Sequence, residues 1–440
     1  MTSDHIRLPN GFGRLWTAHT VSSLGDGVLH AALPLLALTL TRDPMALAVV
    51  TAAGTLPWLL FGILGGALVD RWDRRRTMWI TDAARAVLLA VPAVAAPLDL
   101  LSIPLLAAVA FLLGLGGLFF DTAASAYLPD LLGREPALLE RANSRLRATQ
   151  TAASGFAGPP AGAALLALGR AGPLLADAVS FAVSALLVRS LPATPRPVAR
   201  ARESLLRQAR AGASYVLRDQ VLLGLALRPA VGNMAFVAME TVLALFAHTR
   251  LGVESLGFGL LLTAEAAGGL LGAGIASVLG RRLGTGAALT CTAALEGLAI
   301  LGLAAAPNAY AAGLALAVCG AGVGATMVLA PSLRQAIVPA ELMGRVTSTS
   351  RMLGMCTAPL GAFLGGWLAT AYDVRTPLYT AAALLLTMTA VTSTMTGNRR
   401  VEAARSAAAE RAADARAAEE SEATGATKAA EEPARAVGAG

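Results

Sequence analysis

Asp26 and His30 stand four residues apart inside the first long apolar run of this 440-residue chain. On a helix that spacing puts both on one face. Desolvation disfavours the charged form of a carboxylate, so an acid in a low-dielectric cavity can load and release a proton or hold a cation. Asp26 is therefore the first candidate for a proton or cationic-substrate site, with His30 beside it. Glu240, in a later apolar run, is the second candidate. Asp121, Asp177, Glu265 and Glu296 are further acids in apolar runs, and Arg228 is available as a partner for any of them. Charges at such depth are costly, and each is a functional candidate by default. Asp82 and Arg85 stand three apart and read as an intrahelical ion pair. Trp58, Phe119, Phe120, Phe236 and Met239 are candidates to line an apolar cavity, with packing or lipid-facing roles the favoured reading for each. The four histidines show no metal spacing, no Gly-x-Ser-x-Gly element occurs, and no Gly-x-x-x-x-Gly-Lys-Ser/Thr loop is present. The chain reads as no enzyme, with no metal, no cofactor and no ATP-driven step of its own.

The elements that must position these groups are membrane helices. Hydrophobic residues make up 55% of the chain and charged residues 14%, whereas soluble proteins carry about a quarter. Twelve apolar runs, at about 15–40, 46–69, 77–98, 103–127, 146–169, 172–192, 221–247, 255–279, 285–305, 309–332, 346–371 and 376–396, each approach the roughly 20 residues needed to cross a bilayer. The expected fold is an all-α membrane protein of twelve transmembrane helices. No cleavable signal precedes the first run, which is expected to act as its own targeting signal. Cys291, Cys319 and Cys356 fall in apolar runs and read as small packing residues.

The net charge of +7 is carried almost wholly by arginine, with Lys428 the one lysine. It does not point to nucleic acid, because it lies in short loops. One face holds Arg71, Arg74, Arg75, Arg76, Arg134, Arg141, Arg145, Arg281, Arg282, Arg334 and Arg345, and the opposite loops hold only Arg42, Arg170, Arg250 and Arg375. The arginine-rich face is expected to be cytosolic, with both termini on that side. The reading divides the chain into a six-helix bundle at 1–192, a cytosolic linker at 193–220 with an amphipathic surface helix over 203–217, a second bundle at 221–396, and a low-complexity tail at 397–440, frayed or without regular structure. An internal repeat supports the division. At an offset of 207 residues, Gly25 falls on Gly232, Gly62 on Gly269, Gly65 on Gly272 and Arg74-Arg75 on Arg281-Arg282. At an offset of 199, Pro160-Ala161-Gly162-Ala163 falls on Pro359-Leu360-Gly361-Ala362.

Between the second and third runs lies Gly66-x-x-x-Asp70-Arg71-x-x-Arg74-Arg75. This order resembles the loop signature of the major facilitator superfamily, whose fold joins two pseudo-symmetric six-helix bundles. The resemblance implies that Gly66, Asp70, Arg71, Arg74 and Arg75 form a cytosolic latch holding the halves together when the protein is open outward. In the second copy Ser277 replaces Asp70, so the latch is expected to be asymmetric. In the fifth run, Gly158-Pro159-Pro160-Ala161-Gly162-Ala163 resembles the Gly-Pro-x-x-Gly-Gly element of the superfamily's antiporters, with Ala163 for the last glycine. There it implies export and a seal against leakage, made by Gly158, Pro159 and Gly162. The fragments Leu24-Gly25-Asp26, Asp121 to Asp130, Arg141-Ala142-Asn143-Ser144 and Val338 to Val346 are similar to the drug and metabolite exporter group that includes macrolide-efflux and enterobactin-exporter proteins. One departure concerns the fourth run, which lacks the arginine many proton-coupled members carry there and has Asp121 instead.

The expected activity is secondary export of a small organic compound, a drug, secondary metabolite or siderophore, from the cytosol of a bacterial cell through the inner membrane. Alternating access would be driven by the proton gradient in antiport. A lysolipid flippase or a nutrient importer on the same fold is the alternative. Expected partners are the small-molecule substrate and membrane lipids, with the protein acting as a monomer.

Overall fold

The computed structural model describes residues 10–69, 72–133, 135–192, 213–411 and 413–414, and among these residues every regular element is helical. The first half comprises α1 (Asn10–Leu40), α2 (Pro44–Val69), α3 (Arg74–Ala95), α4 (Ile103–Leu132), α5 (Pro136–Gln150), a π-helical segment (Thr151–Ala157), α6 (Gly158–Leu168) and α7 (Gly172–Arg189). The second comprises α8 (Gln220–Leu251), α9 (Ser255–Leu283), α10 (Thr285–Ala304), α11 (Ala309–Ile337), α12 (Ala340–Cys356), α13 (Ala358–Ala371) and α14 (Thr376–Met395).

Among the described residues eleven stretches, with α12 and α13 counted as one, are long and apolar enough to cross a membrane. The twelfth crossing is α5, the π segment and α6 together. Its start carries Glu140, Arg141, Arg145 and Arg147, which dilute its hydropathy. It nevertheless runs alongside α1, in the same direction. The Trp16 indole donates to Thr149 Oγ1 at 2.8 Å. Further along, Gly27 meets Ser154 and Gly158, and Val28 meets Gly162. The expected spans beginning near 15, 146 and 346 instead begin at Asn10, Pro136 and Ala340. Helical hydrogen bonds satisfy the backbone in water as well as in lipid, so these helices continue past the apolar limit that hydropathy detects.

The π segment has a local cause. Pro159 and Pro160 have no N–H, and their rings collide with the carbonyls four residues back. The Gly158 N–H reaches past them to the Ala153 carbonyl, five residues back, which is the π pattern. The loop after α2 ends on Asp73, whose carboxylate caps α3 by accepting the Arg76 N–H at 2.7 Å.

At the arginine-rich ends of the helices each half has its own core. One contains Phe12, Leu15, Met78, Tyr127 and Leu191, all from the first half. The other contains Val216 from the end of the linker with Leu289, Leu329, Val346 and Val401 from beyond it. At the opposite ends the cores are shared. Ala31 and Leu35 pack among Met239, Phe246 and Leu316, and Leu245 packs among Leu29, Leu36 and Leu174. The halves are thus joined at one membrane face and part towards the arginine-rich face. On the joined face two of the four loop arginines are matched by acids, Arg170 to Asp99 at 3.2 Å and Arg250 to Asp373.

Most of the linker, including most of the amphipathic helix expected over 203–217, lies outside the described residues. Its end, 213–218, is helical, and Val216 is buried. The first part of the tail is an ordered helix, 398–411, docked on the second half. Asn398 donates to the Leu283 carbonyl and accepts the Ala287 N–H, Arg405 donates to Thr285, and Val401 is buried. An Ala-rich amphipathic segment with arginines spaced to reach helix ends gains a fixed position here from contacts that its composition alone does not reveal.

Candidate transport cavity

Asp26 reaches its position because it lies between two glycines. A Cβ on Gly25 would fall 2.0 Å from Ser180 Oγ and 2.2 Å from Asp177 Oδ1, so α7 closes directly on α1 there. A Cβ on Gly27 would fall 2.6 Å from the Ser154 backbone, so the π segment closes on the other side. Small residues let membrane helices approach this closely. Asp26, between them, is left facing open space, and His30 follows one turn later.

Both line a cavity of about 450 Å³ walled mostly by the first half, with Glu240 and Thr241 reaching it from the second. Asp121 of α4, Asp177 of α7, Arg85 of α3 and Glu240 of α8 line it too. The structure therefore brings all five proton or substrate candidates together. His30 Nε2 lies 3.1 Å from Glu240 Oε1, an ion pair joining the two halves when the imidazole is protonated.

Arg85 is nearly enclosed. Its Nη1 lies 3.5 Å from Asp82 Oδ1, and Asp82 also accepts the Ser184 hydroxyl at 2.6 Å. The guanidinium lies 4.9 Å from the Phe181 ring centre and 5.7 Å from that of Phe120. Its stem crosses α4 where Gly116 and Gly117 leave room, since a Cβ on Gly116 would fall 2.6 Å from Arg85 Nε. The arginine that span four lacks is thus laid against span four from α3. Trp58 and Phe120 are cavity wall, the alternative to the packing or lipid-facing role favoured for them. Sequence spacing could not show this, because α2 and α4 turn these faces towards the cleft only after the bundle forms. His19, Ser22 and Gln150, not singled out from the sequence, also line the cavity. Arg351 lies over Trp58 at 5.3 Å. Its signal in the sequence is an arginine inside the eleventh apolar run.

Among the latch residues, Asp70 and Arg71 lie outside the described residues, and Gly66 is in α2. Arg74 donates to the Ala126 carbonyl at 3.1 Å and pairs with Asp130, and Arg75 donates to the Leu191 carbonyl at 2.7 Å. These contacts stay within the first half. Gly158 and Gly162 seat α6 on α1, with a Cβ on Gly162 falling 2.2 Å from the Val28 carbonyl oxygen. The Pro159 carbonyl faces Gly259 of α9, so this element sits on the seam between halves. In the second half Arg228 donates to Thr292 at 3.3 Å, Thr292 and Thr326 share a hydrogen bond of 3.1 Å, and Thr326 donates to Glu296 at 3.1 Å.

Residues 8–425 match the model of a family described as transmembrane secretion effector, within the major facilitator superfamily. The chain belongs to this family. As a major facilitator protein it is similar to the multidrug efflux pump Tap of Mycolicibacterium fortuitum, at 30% identity over 364 residues, covering 80% of this chain and 88% of that one. It is also similar to the multidrug efflux pump Tap of Mycobacterium tuberculosis (strain ATCC 25618 / H37Rv), at 28% identity over 371 residues, covering 80% and 86%. Among solved structures it matches a bacterial homologue of the iron transporter ferroportin in an inward-facing state, with TM-score 0.72 and 17% identity, covering 88% of this chain and 98% of that one. That likeness shows the fold. The chain is a multi-pass membrane transporter of two six-helix bundles.

Proposed function

We propose that this transporter exports small amphipathic organic compounds from the bacterial cytosol in exchange for protons. One observation carries the reading: carboxylates from α1, α4 and α8, with His30, converge from both halves on one cavity. Those groups are far apart in the chain, and burying them is costly unless they handle charge. Similarity to efflux pumps named for multidrug export supports the direction of transport. With the arginine-rich face and both termini cytosolic, the cavity opens to the cytosol and the shared cores close it from outside. Protonation of Asp26 or Glu240 releases the cation or dipole held there and loosens the His30–Glu240 tie, which lets the halves rock. Asp70, Arg71, Arg74 and Arg75 hold the cytosolic side in the opposite state. The protein works as a monomer in the lipid bilayer, and the proton gradient is its energy source.

The test is dye transport by the full chain in proteoliposomes under an imposed pH gradient. Asp26→Asn and Glu240→Gln should each reduce gradient-driven movement of ethidium by roughly tenfold or more, the size of an ordinary coupling free energy. Gradient-driven transport at the wild-type rate in both variants would show that protons are coupled elsewhere or not at all.

A further inference from the structure

Three aromatic rings line the cavity, Trp58, Phe120 and Phe181, and each already faces a guanidinium of the protein. The two guanidinium groups are held very differently. Arg85, over both phenylalanines, is buried, paired with Asp82 and wedged on Gly116 and Gly117. Arg351, over Trp58, is exposed on α12, and among the described residues it makes no ion pair. Asp121 lines the same cavity as Trp58, and of the two guanidinium groups it feels Arg85 first and Arg351 second. An indole face and a carboxylate on the wall of one cavity are the chemistry that recognises an organic cation.

We propose that Trp58 and Asp121 form a subsite for the positive group of an organic cation, and that Arg351 occupies this subsite when substrate is absent. Arg85 is a fixture of the wall, whereas Arg351 is a tethered surrogate that substrate displaces. The displacement matters for transport because Arg351 belongs to the second half and Trp58 to the first. A bound cation takes over a contact that otherwise links α12 to α2, and so couples occupancy to how the halves meet. This inference rests on the exporter reading for its purpose but not for its test, which measures binding.

The experiment is equilibrium binding to the purified full chain in lipid nanodiscs, with tetraphenylphosphonium as the cation and triphenylphosphine oxide as a neutral aromatic probe. Arg351→Ala should tighten tetraphenylphosphonium binding roughly three- to tenfold, the range of a partly desolvated cation–π contact. It should leave triphenylphosphine oxide binding unchanged. Trp58→Ala and Asp121→Asn should each weaken tetraphenylphosphonium binding, and Trp58→Phe should weaken it less. Arg351→Lys, which keeps a cation on the same tether, should bind close to wild type and guards against a folding artefact in the alanine variant. In a Trp58→Ala/Asp121→Asn background, Arg351→Ala should have no effect, because the subsite it vacates is gone. Three results would overturn the proposal: unchanged or weaker tetraphenylphosphonium binding in Arg351→Ala, an equal gain for the neutral probe, or a gain that persists without Trp58 and Asp121. The last would mean that Arg351 acts only through long-range charge. Loss of proton coupling in the transport assay without change in these affinities, or the reverse, separates the subsite from the exporter reading.

Discussion

In the first half a guanidinium, that of Arg85, lies on the glycine surface of α4 at Gly116 and Gly117. In the second half a carboxylate, that of Glu296, lies on the glycine surface of α11, where a Cβ on Gly322 would fall 2.5 Å from Glu296 Cγ. The two grooves lie between equivalent helix pairs of the internal repeat, the third and fourth crossings of each half, each made by a glycine of one helix and filled by a charged side chain of its neighbour. The sign of the charge is reversed, and so is the setting. Arg85 lies on the wall of an open cavity with Asp26 and Asp121, whereas Glu296 is joined to Arg228 through the hydroxyls of Thr326 and Thr292. Asn233, the repeat counterpart of Asp26, donates to the Gly354 carbonyl at 2.7 Å. The repeat therefore conserves where helices touch and lets the chemistry of the contact diverge. At this pair of helices the first half presents its charge to the cleft and the second joins its charges to one another.

The largest effect expected from this contrast is at Arg85. Arg85→Met leaves Asp82 buried without its cation and should lower stability by about 3 kcal/mol or more. Arg228→Met removes a cation that reaches its acid only through hydroxyls and should lower stability by about 1–2 kcal/mol. Unfolding curves of the two variants in one detergent would decide, and equal losses would break the contrast. The next effect concerns what the halves share. A Cβ on Gly162 would fall 2.2 Å from the Val28 carbonyl oxygen, and one on Gly361 2.2 Å from that of Met234. Gly162→Ala and Gly361→Ala should therefore be destabilising to the same degree, by about 1–3 kcal/mol. A clear inequality would mean that the two contacts are not equivalent despite their matching geometry. The smallest effect is at the loops. Asp70→Asn should slow transport by roughly two- to fivefold, the reach of a surface ion pair, and Arg281→Gln or Arg282→Gln should slow it less. Matching transport rates in these variants would remove the asymmetry assigned to the latch.

The crossings, the repeat and the Gly25-Asp26-Gly27 element were all legible in the chain, because each depends on composition or on spacing within one helix. The cavity was legible only as a set of misplaced charges. That Asp26, Asp121 and Glu240 face one another follows from how three helices rotate in the bundle, which local pattern does not encode. The same holds for Arg85, whose sequence position assigns it to α3 while its charge is delivered to α4. Arg351 over Trp58 is further from sequence still, since it depends on how the two halves meet. The polar start of α5 hid a helix boundary for a simpler reason, as hydropathy measures the membrane and not the helix.

The segment Thr151–Ala157 has a consequence for the cavity wall. A π turn contains surplus chain relative to an α turn. Gln150, on the wall, lies just before it, and Gly158 and Gly162, seated on Gly27 and Val28, lie just after it. Drawing one residue out of the surplus would swing Gln150 by about 100° and shift it by about 1.5 Å along the axis, at the expense of the Trp16–Thr149 hydrogen bond but with Gly158 and Gly162 still seated on α1. The fifth crossing thus has an adjustable joint at mid-length. What lies on its arginine-rich side can be re-aimed while the rest of the helix stays anchored.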